Sequence, residues 1–286
     1  MDERIGQFLR ENTWQLALFA LLFLVIQRMA AAVPTQRTFR RGALTDLVLS
    51  YGVVLLCVPI YAPTMRWIAA TLQAHAQFEW LYRSRVWVDE LGIVPAFILA
   101  LVLGDLLSYW RHRLFHLRWL WPLHAIHHGS EEVDWLSNER FHPLDHVSAQ
   151  LLQASAFLAI GFDPGIVAAH AAVRRTNSLF IHSNVGISYG WLDRIFVSPN
   201  FHRWHHAADA RTIDRNFAAV FSGIDWMFGT WARPTGELPA RYGLLNGSPP
   251  TGVLGMLVDP FKQMWAMAAG APLVQPSLPE PDPLLP

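Results

Sequence analysis

Apolar residues come in long blocks along this chain. Residues 14–33 form a run of about 20, enough to cross a hydrocarbon core of roughly 30 Å. Residues 43–62 and 91–110 are two further runs of similar length, with Asp46 near the start of one and Asp105 near the end of the other. Two shorter runs, 147–160 and 166–181, are joined by Gly161-Phe162-Asp163-Pro164-Gly165, a turn by composition. They are short for full spans, and Arg174-Arg175 interrupts the second, so they predict a hairpin that only partly crosses the bilayer.

The intervening stretches have a different texture. Residues 65–88 are aromatic and mixed in polarity and read as an interfacial or re-entrant piece, with His75 an interfacial residue without a role. Residues 183–247 read as a soluble cap, residues 252–269 as an amphipathic helix lying on the membrane, and the chain from Pro272 onward as a Pro-rich disordered tail. This pattern predicts an all-α, polytopic integral membrane protein with a cytosolic, histidine-rich helical cap. It divides into an N-terminal transmembrane region (1–90), a central histidine-rich domain (91–232), and a C-terminal amphipathic helix and tail (233–286).

Composition strengthens the membrane reading. Hydrophobic residues make up 52% and charged residues 15%, and Trp occurs thirteen times, which suits a chain with aromatic residues at lipid–water boundaries. A net charge of zero gives no footprint for nucleic acid. The one cysteine, Cys57, excludes an internal disulfide and a cysteine-based zinc site. The first apolar run exceeds a signal-peptide core and is followed by more spans, so it reads as a retained anchor. Arg28, Arg37, Arg40 and Arg41 lie at or beyond its end without an acidic partner, which places that loop in the cytoplasm. Threading the later runs from there puts residues 111–146 and everything from His182 onward on the same side. Pro/Ala/Arg-rich usage suggests a bacterial inner membrane.

All the histidine clusters fall on that side. Ten of the thirteen histidines occur as His112-x3-His116, His124-x2-His127-His128, His142, His182 and His202-x2-His205-His206. Residues three and four apart share a helix face, so each multi-histidine cluster can aim two or three nitrogens at one point. Pro122 and the pair Ser198-Pro199 each open a helix just before a His-x2-His-His group. The positive end of a helix disfavours imidazolium and keeps such histidines free to bind metal. Eight to ten donors suit two metal ions, and a site of neutral imidazoles leaves most of the metal charge to be met by an anionic ligand. Asp105 sits two turns below His112 on the same face, where it either holds the free ring nitrogen of a ligating histidine or is a buried acid satisfied by Ser108 or Tyr109. His182 stands alone but on the right membrane face. His142 is open between ligand, supporting group and substrate contact; His146 and His170 read as structural.

These residues resemble the fatty acid hydroxylase superfamily, the membrane-bound group that includes sterol desaturases and alkylglycerol monooxygenase. The matching stretches are Asp105-x3-Tyr109-Trp110-x-His112-Arg113-x2-His116, His124-x2-His127-His128, Arg140-Phe141-His142-Pro143-Leu144-Asp145, Phe180-Ile181-His182-Ser183-Asn184 and Pro199-Asn200-x-His202-x2-His205-His206, continued by Asn216-Phe217 and Asp225-x2-Phe228-Gly229-Thr230. They cover roughly residues 90–232. The resemblance implies a non-haem diiron oxygenase that uses O2 to hydroxylate or desaturate an unactivated C–H bond of a sterol, fatty acyl or ether lipid. It implies His112, His116, His124, His127, His128, His182, His202, His205 and His206 as metal ligands, with no catalytic residue beyond them. His142, Asp105, Asp145 and Asn184 are candidates for further ligands or for groups that support them. Some relatives carry another histidine one turn before His182, where this chain has Ser178. Two electrons per turnover must come from an external ferredoxin, cytochrome or reductase, since no flavin or nicotinamide fingerprint appears. The competing readings are a histidine-rich membrane metal transporter and a catalytically inactive metal-binding relative. Against the first, no span carries an i, i+4 pair of ligands at its midpoint.

Overall fold

Helices form wherever the apolar blocks run. The computed structural model describes residues 3–74, 87–233, 238–246, 249–250 and 252–271. The first three helices are α1 (Glu3–Met29), α2 (Ala43–Ala74) and α3 (Ile93–Phe115). After a short connection comes α4 (Trp121–His128), then the hairpin of α5 (Pro143–Ile160) and α6 (Pro164–His182). The cap holds two short helices, α7 (Pro199–His205) and α8 (Gly223–Met227), and α9 (Gly252–Ala268) follows. Backbone pairing outside helices among the described residues amounts to two isolated bridges, Ala31 with Val185 and Ala207 with Tyr242.

Among the described residues, three helices are long and apolar enough to cross a membrane, over Leu9–Met29, Ala43–Thr71 and Ile93–Phe115. Their outward faces carry exposed Leu18, Leu21, Val25, Leu55, Ile60, Ile98 and Val102, the surface a lipid solvent accepts. The second differs from the sequence-based expectation. It does not stop at residue 62 but continues to Ala74 through Pro59 and Pro63, so residues 65–74 belong to the helix and not to a separate interfacial piece. Neighbouring groups in a membrane helix can satisfy the carbonyls that proline frees. Residues 75–86, with His75, and the tail from 272 lie outside the described residues.

The hairpin turn forms as its composition predicts. Gly161 ends α5 in the left-handed conformation (φ 85°), and Asp163 caps α6 by accepting from the Gly165 N–H. The arginines that interrupt the second arm point at carboxylates. Arg174 pairs with Asp105 (2.9 Å) and bonds Ser108, while Arg175 pairs with Glu139 (2.6 Å). Each charge therefore meets its opposite inside the bundle, the arrangement that lets ionisable groups sit at membrane depth.

One end of the bundle gathers the chain. The α1–α2 loop packs on the cap through Gly186 N–H to Ala30 O (2.8 Å) and Val33 N–H to Asn184 Oδ1 (2.9 Å), and Arg40 bridges Asp46 and Asp134. The loop that charge placed on the histidine side is thus in contact with it. Along the α3–α6 seam, Gly104 lies against His170 and Phe157, whose rings meet edge-on at 4.8 Å. A Cβ on Gly104 would overlap His170 Nε2 and stand 3.1 Å from Phe157 Cζ. Gly104→Ala is expected to lower stability by about 1–3 kcal/mol through overpacking, read as an earlier midpoint in SDS-induced unfolding of the detergent-solubilised protein. Adding His170→Ala should recover part of the loss, and an unchanged midpoint in the single variant would contradict this packing.

Candidate metal centre

The histidines converge under the cap because the local structure around each is specified separately. His112 lies on the last turns of α3 and His116 caps it. The short α4, opened by Pro122, carries His124, His127 and His128. His182 ends α6, and α7 carries His202 and His205, with His206 as its C-cap. Ser198 accepts from the Phe201 N–H to start α7, as its Ser-Pro sequence predicts. On the same helix Arg203, fully buried, donates to Tyr242 Oη, the carbonyls of Val133 and Ser183, and Asn184 Oδ1. That residue carried no signal in the sequence, yet it pins the histidine-bearing helix to three other segments.

The structure brings all nine histidines together in two groups. His112, His116, His124, His128 and His205 form one, their nearest ring nitrogens lying within 4.8 Å of one another; His127, His182 and His206 form the other. His202 joins the second through His182, Nε2 to Nε2 at 3.0 Å. The division differs from the expectation that each cluster aims at one point. The pairs at i, i+4 stay together (His112 with His116, His124 with His128, His202 with His206), while His127 and His205 cross to the opposite group. Successive helical residues are about 100° apart, so His127 and His128 cannot face one point, nor can His205 and His206.

The outer ring nitrogens settle what the inner ones are. His112 Nδ1 lies 2.8 Å from the Phe217 carbonyl, His205 Nδ1 2.7 Å from the Arg215 carbonyl, and His182 Nδ1 2.7 Å from the Ser178 carbonyl. A carbonyl oxygen only accepts, so each Nδ1 carries the proton and each neutral ring presents a bare Nε2. His205 Nε2 and His112 Nε2 are 3.0 Å apart. His182 Nε2 is 3.1 Å from His206 Nε2 and 3.2 Å from His127 Nε2. The bare Nε2 lone pairs of His112 and His205 repel at that distance unless a cation sits between them. Nitrogens ~2.1 Å from one metal and at right angles about it would be ~3.0 Å apart. His124 Nε2 and His128 Nε2 are buried with no hydrogen-bond partner among the described residues, which is costly for a polar atom and fits a role as cation ligands.

Carboxylates complete the supports. Asp145 accepts from His124 Nδ1 (2.7 Å) and is itself held by Arg111. Asp214 accepts from His116 Nδ1 (2.9 Å). The four-residue loop Asp214-Arg215-Asn216-Phe217 therefore sets three ring orientations at once, and Asp214 and Asn216 adopt φ of 54° and 60° to do so, a conformation those residue types tolerate. Asp225 fastens the loop by accepting from the Phe217 and Ala218 N–H groups (2.7 and 2.9 Å). Sequence reasoning missed Asp214, Arg111 and Asp225 in these roles.

Three candidates fall elsewhere. Asp105 does not reach a histidine: it is paired with Arg174 and accepts from the N–H groups of Ala219, Val220 and Phe221, so it holds the chain just after Phe217. Asn184 is engaged by Val33 and Arg203 and binds the α1–α2 loop. His142 caps α5, accepting from the Leu144 N–H, and its Nε2 meets the Leu257 carbonyl (3.3 Å). His146 lies near Phe141 and belongs to neither group.

Burial, then repulsion among the rings, pushes His124, His127, His128, His202 and His206 well below the ordinary imidazole range; burial likewise lowers His205, and takes His182 to about 4. Neutral imidazole is the form that binds metal.

The sequence model of the fatty acid hydroxylase family matches residues 97–230. Residues 97–230, just under half of the chain, thus carry a fatty acid hydroxylase domain. An ornithine lipid hydroxylase of Rhizobium tropici is 29% identical over 183 residues, 64% of this chain and 55% of that protein. An alkylglycerol monooxygenase of Danio rerio is 32% identical over 149 residues, 52% of this chain and 32% of that protein. A very-long-chain aldehyde decarbonylase of Oryza sativa subsp. indica is 29% identical over 150 residues, 48% of this chain and 53% of that protein. The chain thus spans about half or less of the length of these superfamily relatives. No solved structure matches it.

Two outcomes follow from this geometry. Asp145→Asn should weaken metal binding about 10–100-fold, as removal of a carboxylate behind a ligating histidine does; titration of metal-free protein against a chromophoric chelator reads the change, and wild-type affinity in the variant would refute the role. The second concerns acid. The buried histidines bind fewer protons folded than unfolded, so stability of the metal-free protein rises with pH across that window. It should fall as pH drops from about 6.5 toward the about 4 of His182. SDS-unfolding midpoints that stay flat over that range would contradict the assignment.

Proposed function

We propose that this chain is a membrane-bound non-haem diiron oxygenase that hydroxylates or desaturates an unactivated C–H bond of a lipid, with O2 as co-substrate and electrons from an external donor. The observation that carries the reading is the facing pair of bare nitrogens on His112 and His205, matched by the convergence of His127, His202 and His206 on His182. Nine imidazoles in two groups exceed what one metal takes, and a hydrolytic zinc site needs only three protein ligands and an open position. Imidazole donors suit iron, and the superfamily relatives are named as hydroxylases, monooxygenases and a decarbonylase.

Two iron ions held here would supply the reduction of O2 and the removal of hydrogen from carbon. The chain's own residues prepare that chemistry. Asp145, Asp214 and the three carbonyls fix the tautomers of five rings, so those five need neither lose a proton nor turn before binding metal. A cavity of about 40 Å3 reaches His116, His128 and His205 between Trp121, Ile213 and Leu245, room for a small molecule such as O2 against the first group. His112 lies where α3 ends its apolar stretch, so a lipid tail approaches from the bilayer while the cap excludes water from above. The catalytic unit is taken as 91–232, with the α1–α2 loop and residues 242–246 adding walls to it. The basic α1–α2 loop supports a cytoplasmic position for this end, at the inner membrane of a bacterium. A transporter is disfavoured because the donors close into one buried cluster and do not line a path along a span.

Detergent-purified, iron-loaded protein should consume O2 only when both a reductant and a lipid substrate are present. His127→Ala should abolish that uptake while leaving membrane insertion intact. Lipid-dependent turnover retained in His127→Ala would sink the reading.

A further inference from the structure

A second, roomier concavity lies apart from the candidate metal ligands, and its lining is charged with both signs. It encloses about 640 Å3 between the α1–α2 loop, the chain immediately after His128, and the start of α9. Volumes of this order hold small-molecule ligands. Arg37, Arg41 and Arg140 line it together with Glu131 and Glu132, and Met256 contributes an apolar wall. The arginines of this loop are used in two ways. Arg40 is buried and bridges Asp46 and Asp134, and Arg140 gives its Nε to Asp46. Arg37 and Arg41 are exposed and meet no carboxylate among the described residues.

Position selects the occupant. The apolar span of α2 begins at Ala43, two residues beyond Arg41, so this cavity opens at the level where lipid headgroups lie. Its surroundings are apolar as well as basic: Phe39 is 85% exposed and Leu44 74% exposed, large side chains that a water-facing loop would not present but an interface accepts. Guanidinium groups bind phosphate and carboxylate through paired hydrogen bonds. The two glutamates across the same cavity would repel a purely anionic ligand and favour one that also carries an ammonium.

We propose that this cavity binds the zwitterionic headgroup of the lipid substrate, with its phosphate or carboxylate on Arg37 and Arg41 and its ammonium on Glu131 and Glu132. The inference deepens the lipid-oxygenase reading by naming the substrate class. Gly129, which lines the cavity, directly follows the ligand-group residue His128, so a headgroup held there anchors a tail beside the cluster.

Binding can be tested without turnover. Metal-free, full-length protein in detergent would be examined by native mass spectrometry with phosphatidylethanolamine, phosphatidylglycerol and diacylglycerol, and with inorganic phosphate as competitor. Phosphatidylethanolamine should be retained over the other two and should resist inorganic phosphate. The Arg37→Gln/Arg41→Gln double variant should weaken its retention by about tenfold or more, as loss of charge-assisted bonds does. Glu131→Gln/Glu132→Gln should shift preference toward phosphatidylglycerol. Iron content of the loaded variants reports that they are folded. Equal retention by the arginine variant, wild-type preference for phosphatidylglycerol or diacylglycerol, or displacement by inorganic phosphate would each overturn the proposal. The two readings fail separately: headgroup retention with no lipid-dependent O2 uptake removes the oxygenase reading alone. Uptake with an unchanged KM in the arginine variant removes the headgroup site alone.

Discussion

The structure depends on a set of short contacts behind the histidines. Each Nδ1–H that reaches a carbonyl or carboxylate commits its ring to one tautomer and one direction, leaving Nε2 bare and turned inward. The carbonyls of Ser178, Arg215 and Phe217 and the carboxylates of Asp145 and Asp214 serve five of the nine rings in this way. The bare Nε2 atoms of His112 and His205 face each other at 3.0 Å in a buried space. The proposed metal would relieve that repulsion and would couple its binding to the final packing of the cap.

Holding that arrangement at the edge of a membrane requires charged residues inside an apolar bundle. Asp105 with Arg174, Glu139 with Arg175, and Asp46 with Arg40 and Arg140 tie α2, α3, α6 and the loops to one another. Breaking one partner of such a pair leaves an uncompensated buried charge, which is far more costly than the pair's own net worth. These contacts therefore specify which helices meet. Asp105 shows the consequence: by holding the N–H groups of Ala219, Val220 and Phe221 it fixes the chain that follows Phe217, whose carbonyl orients His112. An acid deep in a span thus acts on the metal centre through the backbone.

Much of this was legible in the sequence and some was not. The apolar runs gave the three long helices and the hairpin, because span length and turn composition are local properties. Histidine spacing marked eight of the nine residues that the fold brings together, and the ninth, His182, came from its membrane face and the family resemblance. It did not reveal their partition into two groups, although the roughly 100° between neighbouring helical residues was enough to separate His127 from His128. The supports were invisible for a different reason. A carbonyl oxygen has no sequence signature, and whether Phe217 or Ser178 offers one to a ring depends on tertiary placement. Asp105 misled by its spacing: two turns from His112 on one face suggested contact, but Arg174 on a neighbouring helix claimed the carboxylate. The α2 helix runs past its expected end because the apolar run that marked it stops at residue 62 while the backbone stays helical to Ala74, with Pro59 and Pro63 tolerated inside it.

The most direct measurement is the metal content and Mössbauer spectrum of detergent-purified protein loaded with iron-57. The account predicts close to two irons per chain, spin-coupled to one another and ligated mainly by nitrogen, as the two histidine groups require. A single iron per chain, two uncoupled irons, or iron removed by mild dialysis would contradict it.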